Sequence, residues 1–236
     1  TLTFANYTHV LSNRFFLDAL RNSLIIAAAA FVFTILIGVP FAFFVARFPV
    51  SGKPALLALA VLPLVLPSFV SAYALVLMFG RAGVVTSELR NLGIPFGSIY
   101  GTKGIITTYV LTLYPYVLLP TTAAFNAIDM SVEEAAQNLG ASSLRTFRTV
   151  TLPIVLPSIL AGALLVFIEA IENFGVPFVL AEDKPILAVE TFKLFAGETA
   201  TNPASAGVLG MLLIVCTTIA LLVQRNVLAR RHYATS

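Results

Sequence analysis

Two carboxylates stand inside an apolar segment, and they are the clearest candidates for chemistry in this chain. Glu169 and Glu172 are the only acids in the block 149–181. A carboxylate at mid-helix in a membrane costs about 2.5–3.5 kcal/mol on insertion scales, so it usually has a task. The i, i+3 spacing places both on one helix face. Paired carboxylates favour a cation, and with tyrosines they provide the hard oxygen ligands that a ferric ion prefers. Alternatively, the two acids pair with an arginine or cap nearby backbone.

The sequence lacks the phosphate-binding loop of ATP-binding proteins and the histidine patterns of zinc sites and catalytic triads. Gly52-Lys53 is followed by Pro54 and lacks the upstream glycine of a G-x-x-x-x-G-K-[ST] phosphate loop, so any ATP and Mg²⁺ must be held by a separate subunit. His9 and His232 are the only histidines and lie near opposite ends of the chain, which argues against a zinc cluster or a Ser-His-Asp triad. We therefore predict no catalytic residues, no cofactor in this chain and no fixed metal site, with at most transient metal contacts at Glu169 and Glu172.

The composition is that of an integral membrane protein. Of 236 residues, 58% are hydrophobic and 11% are charged. The net charge of +3 is small and the basic residues are scattered, which gives no reason to expect a nucleic-acid partner. Apolar runs of about 20 residues predict an all-α fold with five transmembrane helices. We predict a surface amphipathic segment over 1–21 and a transmembrane domain over 22–231, with spans near 22–46, 54–80, 104–125, 154–181 and 204–224.

A polar helical segment, 129–153, separates the third and fourth predicted spans. Ser131 and Glu134 form an S-x-x-E capping box that would open a helix. An apolar stripe follows at i, i+3, i+4, i+7, and Gly140 is placed to end the helix. Ser142 or Ser143 is expected to cap a second short helix in which Leu144 and Phe147 share a face. The segment is too short to cross a bilayer, so it is expected to bind something outside it. The stripe consists of Val132, Ala135, Ala136 and Leu139.

This segment resembles the EAA motif of ATP-binding-cassette (ABC) importer permeases. The matching positions are Glu134-Ala135-Ala136, Gly140, Val150 and Leu152-Pro153, and Val150 stands where the family usually has Ile. The resemblance implies the type I permease core, in which this segment is the cytoplasmic coupling helix that docks on the ATPase. Members often carry a further span ahead of the first one predicted here. The implied docking residues are Val132, Glu133, Glu134, Ala135, Ala136, Leu139, Gly140 and Arg145.

The same resemblance implies partners and a location. These are two copies of a cytoplasmic ABC ATPase, a second permease half that is identical or homologous, and a periplasmic substrate-binding protein. The location implied is the bacterial inner membrane, with the coupling segment cytoplasmic and the N-terminus outside. The stretches 168–180 and 186–197 are similar to the branch that imports ferric iron, polyamines, thiamine and phosphonates. Ferric iron is the cargo we expect.

The translocation pathway is expected to lie among the second, third and fourth spans. Prolines four apart in the second span remove successive helix hydrogen bonds, and such kinks often line a pathway, although packing between neighbours would explain them equally well. The competing hypotheses are a secondary transporter or cation channel that uses the intramembrane acids, and a membrane-embedded enzyme. The predicted pathway residues are Pro63, Pro67, Ser68, Ser71, Tyr73, Tyr114, Glu169, Glu172 and Asn173.

Overall fold

The protein is built from helices throughout the part of the chain that the computed structural model describes, residues 5–95, 97–196 and 203–232. Five helical segments are long and apolar enough to cross a membrane, which confirms the predicted all-α membrane fold. These candidate spans are Arg14–Arg47, Ser68–Asn91, Thr102–Ala127, Ser143–Glu172 and Ala204–Asn226.

The α-helices are numbered in chain order, and a 3₁₀ helix and a π-helix complete the set. They are α1 (Ala5–Ser12), α2 (Arg14–Arg47), α3 (Lys53–Val61), the 3₁₀ helix (Leu62–Val65), α4 (Ser68–Phe79), α5 (Val84–Asn91), α6 (Thr102–Ala127), α7 (Met130–Asn138), α8 (Ser143–Thr146), the π-helix (Phe147–Thr151), α9 (Leu152–Glu172), α10 (Gly175–Leu180), α11 (Leu187–Ala196) and α12 (Pro203–His232).

The N-terminal region differs from the predicted surface segment 1–21. Helix α2 begins at Arg14, where the side chain of Asn13 accepts a hydrogen bond of 3.0 Å from the Phe15 amide. Residues 14–21 therefore continue into the first span, and only α1 is a separate helix. Val10 of α1 is buried against α11 and α12. Residues 1–4 of the predicted segment lie outside the described residues.

The second predicted span, 54–80, is divided at its prolines. Pro63 is the second residue of the 3₁₀ helix, and Leu66 is extended (φ −82°, ψ 132°), as expected for a residue that precedes a proline. Pro67 then caps α4. The two prolines therefore break the helix rather than only kink it, and the candidate span in this region is made of α4 and α5. The break leaves non-helical backbone beside α6 and α9, where a cleft opens.

Helices α2, α6 and α9 form the centre of the fold and approach each other closely at glycines. A Cβ built on Gly162 of α9 would lie 2.3 Å from the carbonyl oxygen of Tyr116 in α6. A Cβ on Gly38 of α2 would lie 3.0 Å from the Cβ of Val117. Small residues allow helix backbones to pack closely in membranes. The three helices therefore form a closely packed core, and their side chains bury Tyr109 and Ile171 between them.

Candidate functional site

The segment between α6 and α9 is a capped helix pair, as predicted, but its first cap differs. The Asp129 carboxylate accepts a hydrogen bond of 2.9 Å from the Ser131 amide and opens α7. This hydrogen bond lowers the pKa of Asp129. The prediction of a capping box from Ser131 to Glu134 is wrong, because Ser131 already lies inside the helix. Ser142 caps α8 by accepting from the Arg145 amide at 3.4 Å, as predicted.

Gly140 ends α7 in the way that the sequence predicts. Its φ of +88° is in the left-handed region, which glycine adopts without strain. The Gly140 amide donates to the Gln137 carbonyl at 2.8 Å, and the Ala141 amide donates to the Ala136 carbonyl at 3.1 Å. These two bonds form a Schellman motif. The motif turns the chain sharply between α7 and α8, so both short helices lie at one end of the molecule.

The predicted docking stripe is exposed in this chain. Leu139 is 91% exposed and Val132 45%, and Leu144 of α8 is 61% exposed. Ala135 is also exposed and Ala136 is half-buried. Val132 and Leu139 lie outside the candidate spans, and large apolar side chains that are exposed there indicate a surface that binds a partner. Two of the three charged members of the predicted set, Glu134 and Arg145, are exposed beside the stripe.

An aromatic cluster attaches this helix pair to the ends of the spans. The ring of Phe147 lies 5.5 Å from that of Phe43 in α2, and Phe43 lies 5.5 Å from Phe125 in α6, both edge to face. Phe147 is therefore packed inward while Leu144 is exposed, so these two residues do not share one environment as the sequence pattern predicts.

Glu133 is the one member of the predicted docking set whose side chain is bound within the chain. Its Oε1 atom forms an ion pair with the Nη2 atom of Arg47, at the end of α2. The same oxygen accepts a hydrogen bond of 2.7 Å from the Thr151 hydroxyl, at the end of the π-helix. Only 18% of the Glu133 side chain and 16% of the Arg47 side chain are exposed. The carboxylate is thus turned towards the spans.

A cleft of about 230 Å³ opens where the second predicted span is broken. Of the predicted pathway residues it brings together Pro63, Ser68, Ser71, Glu169 and Asn173. Its remaining wall is formed by Leu64, Leu66, Thr112, Leu113 and Tyr116.

Two polar residues of this cleft, Thr112 and Tyr116, were not singled out from the sequence. Their i, i+4 spacing on α6 places them on one helix face, which is the signal that could have identified them. Four other predicted pathway residues do not line the cleft. They are Pro67, Tyr73, Tyr114 and Glu172. The ring of Tyr114, for example, stacks on that of Phe41, with the ring centroids 6.2 Å apart.

The end of α9 shapes the cleft. The helix ends at Glu172, and the Asn173 side chain accepts a hydrogen bond of 3.0 Å from the Val176 amide, which starts the short α10. The break therefore lies just before Gly175 rather than within 175–177. Gly175 passes so close to α4 that a Cβ there would lie 2.6 Å from the Ser68 hydroxyl oxygen. This close approach holds Asn173 and Glu169 opposite Ser68 and Ser71.

Residues 38–233 match the family model of the binding-protein-dependent transport system inner membrane component. The chain belongs to this family. The match covers the aromatic cluster, the α7–α8 helix pair and the cleft together. It identifies the chain as an ABC importer permease subunit rather than a secondary transporter or a channel.

Two relatives of the permease are named after different transport systems. The spermidine/putrescine transport system permease protein PotB of Haemophilus influenzae is 33% identical over 195 residues, which are 81% of this chain and 68% of that protein. The ferric transport system permease protein FbpB of Actinobacillus pleuropneumoniae is 28% identical over 233 residues, 96% of this chain. The chain spans only 33% of the length of that second relative.

Solved structures share the fold of the permease. A chain of a bacterial alginate ABC transporter, in complex with a periplasmic protein that holds an alginate pentasaccharide, superposes with a TM-score of 0.77 at 17% identity, covering 94% of this chain and 81% of that one. A chain of the MetNI methionine ABC transporter in an inward-facing conformation gives 0.69 at 16% identity, covering 92% and 96%. The fold is thus that of ABC transporter permeases.

Proposed function

We propose that this permease imports a cationic solute across the bacterial inner membrane, through the cleft between α4, α6 and α9. It acts with a second permease half, identical or homologous, and receives its solute from a periplasmic binding protein. Two copies of a separate ABC ATPase, which hold the ATP and Mg²⁺, dock on the cytoplasmic helix pair α7–α8. The observation that supports this arrangement most strongly is the exposed apolar stripe on α7, in the segment that carries the EAA motif.

The docking role can be tested by placing a charge in that stripe. Ala136→Asp puts a carboxylate on α7 beside Leu139 and should release the ATPase during co-purification. Ala196→Asp is the matched control, because Ala196 is exposed at the end of α11, outside the candidate spans and away from α7. Both variants should insert into the membrane normally. Retention of the ATPase by the Ala136→Asp protein at the wild-type level would refute the docking assignment.

The cleft supports a cationic cargo. Glu169 is its one acidic residue among the described residues, and it is accompanied by the hydroxyl groups of Ser68, Ser71 and Tyr116. A carboxylate in a membrane span is costly, so its placement at a cleft suggests a ligand of opposite charge. Carboxylate, phenol and hydroxyl oxygens are hard ligands of the kind that ferric iron prefers. Ferric iron is therefore our first candidate for the cargo.

A polyamine is the second candidate, for a specific reason. Leu64, Leu66 and Leu113 line the cleft next to the carboxylate of Glu169. An aliphatic chain that carries ammonium groups would match both the apolar wall and the negative charge. The relative at 33% identity, a permease of a spermidine/putrescine transport system, is consistent with this candidate.

Uptake into proteoliposomes that contain the complete transporter distinguishes the two candidates, with radiolabelled iron and radiolabelled spermidine as probes. Glu169→Gln should abolish uptake of the true cargo, and so should the double Gln variant of Glu169 and Glu172. Glu172→Gln alone is the matched control, because Glu172 does not line the cleft and its loss should leave most of the uptake. ATPase co-purification should persist in all three. Transport of an anion such as phosphonate, undiminished in the double variant, would contradict the cationic cargo.

A further inference from the structure

Two neighbouring glutamates on α7 face opposite environments. Glu134 is exposed next to the apolar stripe, whereas the Glu133 side chain is only 18% exposed and faces the membrane spans. Consecutive residues of an α-helix project about 100° apart, so one helix can present one carboxylate to a partner and another to its own chain. Glu133 therefore has a different task from that of the docking stripe.

The carboxylate of Glu133 joins three elements. Arg47 is the last residue of α2, and Thr151 is the last residue of the π-helix that leads into α9. Both donate to the same oxygen of Glu133. None of the described residues of α7 is buried, and these bonds tie its Glu133 side chain to the spans. A displacement of α7 would therefore be applied to the ends of α2 and α9 through Glu133.

The linkage is sheltered, which makes it more effective than a surface ion pair. Arg47 is 16% exposed and Thr151 only 2%. Ion pairs in partly buried sites are screened by salt much less than exposed ones. Removing one partner would leave the other charge without compensation in a sheltered place. The two other cations nearby in sequence, Arg145 and Arg148, are exposed and are not bonded to Glu133.

Helix α9 connects this linkage to the cleft. Thr151 immediately precedes α9 and Glu169 lies 18 positions further along, a distance of about 27 Å at 1.5 Å per residue. The contact between Gly162 and the backbone of Tyr116 leaves α9 no room to bend towards α6. The contact between Gly38 and Val117 constrains α2 in the same way. A movement at the cytoplasmic ends of α2 and α9 is thus carried along two helices that pack closely against α6 at these glycines.

We propose that Glu133 is the positioning residue that transmits movement of the coupling helix to α2 and α9, by holding Arg47 and Thr151 at once. The proposal rests on the proposed function, because it requires an ATPase that moves α7. It assigns Glu133 to transmission within the permease, and leaves ATPase contact to Glu134 and the exposed stripe. The linkage converts movement of an exposed helix into movement of the spans.

The test measures solute uptake and ATP hydrolysis together in proteoliposomes that contain the complete transporter. Glu133→Gln should retain ATPase co-purification and hydrolysis, while the ratio of solute transported to ATP hydrolysed falls by about 5- to 150-fold, the usual range of coupling between sites. Arg47→Gln should give the same result. Thr151→Val, which removes only a hydroxyl group, should lower the ratio less. Glu88→Gln is the matched control, because Glu88 is an exposed carboxylate on the short helix α5, and it should leave the ratio unchanged.

The decisive variant exchanges the two charges, Arg47→Glu with Glu133→Arg. Partial recovery of the ratio would support transmission through the pair, since a residue that contacts the ATPase directly would not be rescued by a change in α2. A wild-type ratio in Glu133→Gln would overturn the proposal. If Glu133→Gln loses ATPase co-purification and the charge exchange does not restore it, Glu133 contacts the ATPase directly and the proposal is overturned. If Glu133→Gln fails to fold, an unchanged ratio in Thr151→Val overturns it instead. Failure of the wild-type chain to bind an ATPase would remove the proposed function itself, and this inference with it.

Discussion

The close contact of α9 with α6 at Gly162 allows a quantitative prediction for Gly162→Ala. The added Cβ would lie 2.3 Å from the Tyr116 carbonyl oxygen and 2.9 Å from the Val117 Cα atom, whereas ordinary contacts begin at 3.4 Å. The clash is with backbone, so a side-chain rotation cannot relieve it. Helix α9 must instead move away from α6 by about 1 Å, and overpacking of this kind typically costs about 1–3 kcal/mol.

Gly207→Ala provides the matched control for this substitution. Gly207 lies within α12, and a Cβ there meets no atom within 4 Å. In both variants alanine improves helix propensity by up to about 1 kcal/mol. That gain cancels when the two are compared, so the difference in their free energies of unfolding isolates the clash at about 1–3 kcal/mol.

The assay heats the detergent-solubilised proteins to a series of temperatures and measures by size-exclusion chromatography the fraction of each that remains folded. For a chain of this size about 1 kcal/mol shifts Tm by about 2–4 °C, so Gly162→Ala should melt about 2–12 °C below Gly207→Ala. Uptake should also fall in Gly162→Ala, because α9 carries Glu169 into the cleft. Equal melting temperatures for the two variants would refute the inference that backbone contact at Gly162 sets the position of α9.

Three further predictions concern the helix pair and the cleft. Gly140→Ala should weaken ATPase co-purification because alanine is strained at φ +88°, whereas Gly93→Ala, with a similar φ of +74° in the α5–α6 loop, should not. The chain has a single cysteine, Cys216, which is first replaced by serine. In that background Ser71→Cys should react with water-soluble thiol reagents that enter the cleft. Leu77→Cys, at a position that is 71% exposed but outside the cleft, should react only with lipid-soluble reagents. Asp129→Ala should increase amide hydrogen exchange in α7, while Asp129→Asn should not, because both Asp and Asn cap helices. The Ser131 hydrogen bond lowers the folded-state pKa of Asp129 below its ordinary value of 3.8, so the stabilisation that the ionised carboxylate adds to this cap is complete above that pH and is lost as the pH falls through the lower folded-state value.

Local sequence patterns predict the helix pair well because its turn is local. Gly140 is needed for a left-handed residue, and the hydrogen bonds that follow it join residues only three to five positions apart. The first cap was assigned to the wrong residue because Asp129 and Ser131 are both good N-cap residues two positions apart. Only the backbone path shows which of them precedes the helix.

The cleft was harder to predict, because it depends on how separate spans pack. The prolines of the second span correctly indicate irregular backbone, but the sequence does not show that Pro63 would line the cleft while Pro67 would not. Two residues three positions apart can also differ: Glu169 lines the cleft and Glu172 does not. Glu172 is the last residue of α9, and Asn173, the next residue, lines the cleft again.

Glu133 and Glu134 show where reasoning from local patterns reaches its limit. Both belong to the same short helix and lie between Val132 and Ala135 of the docking stripe, so the pattern assigns both to docking. The side that Glu133 faces is decided by Arg47, 86 residues away in sequence, and by Thr151, 18 residues away. No periodicity within α7 contains that information, because none of its described residues is buried and these two polar bonds hold Glu133 towards the spans. A carboxylate that the sequence presents as one of a pair is therefore, in the folded chain, the point where the exposed helix is joined to the spans.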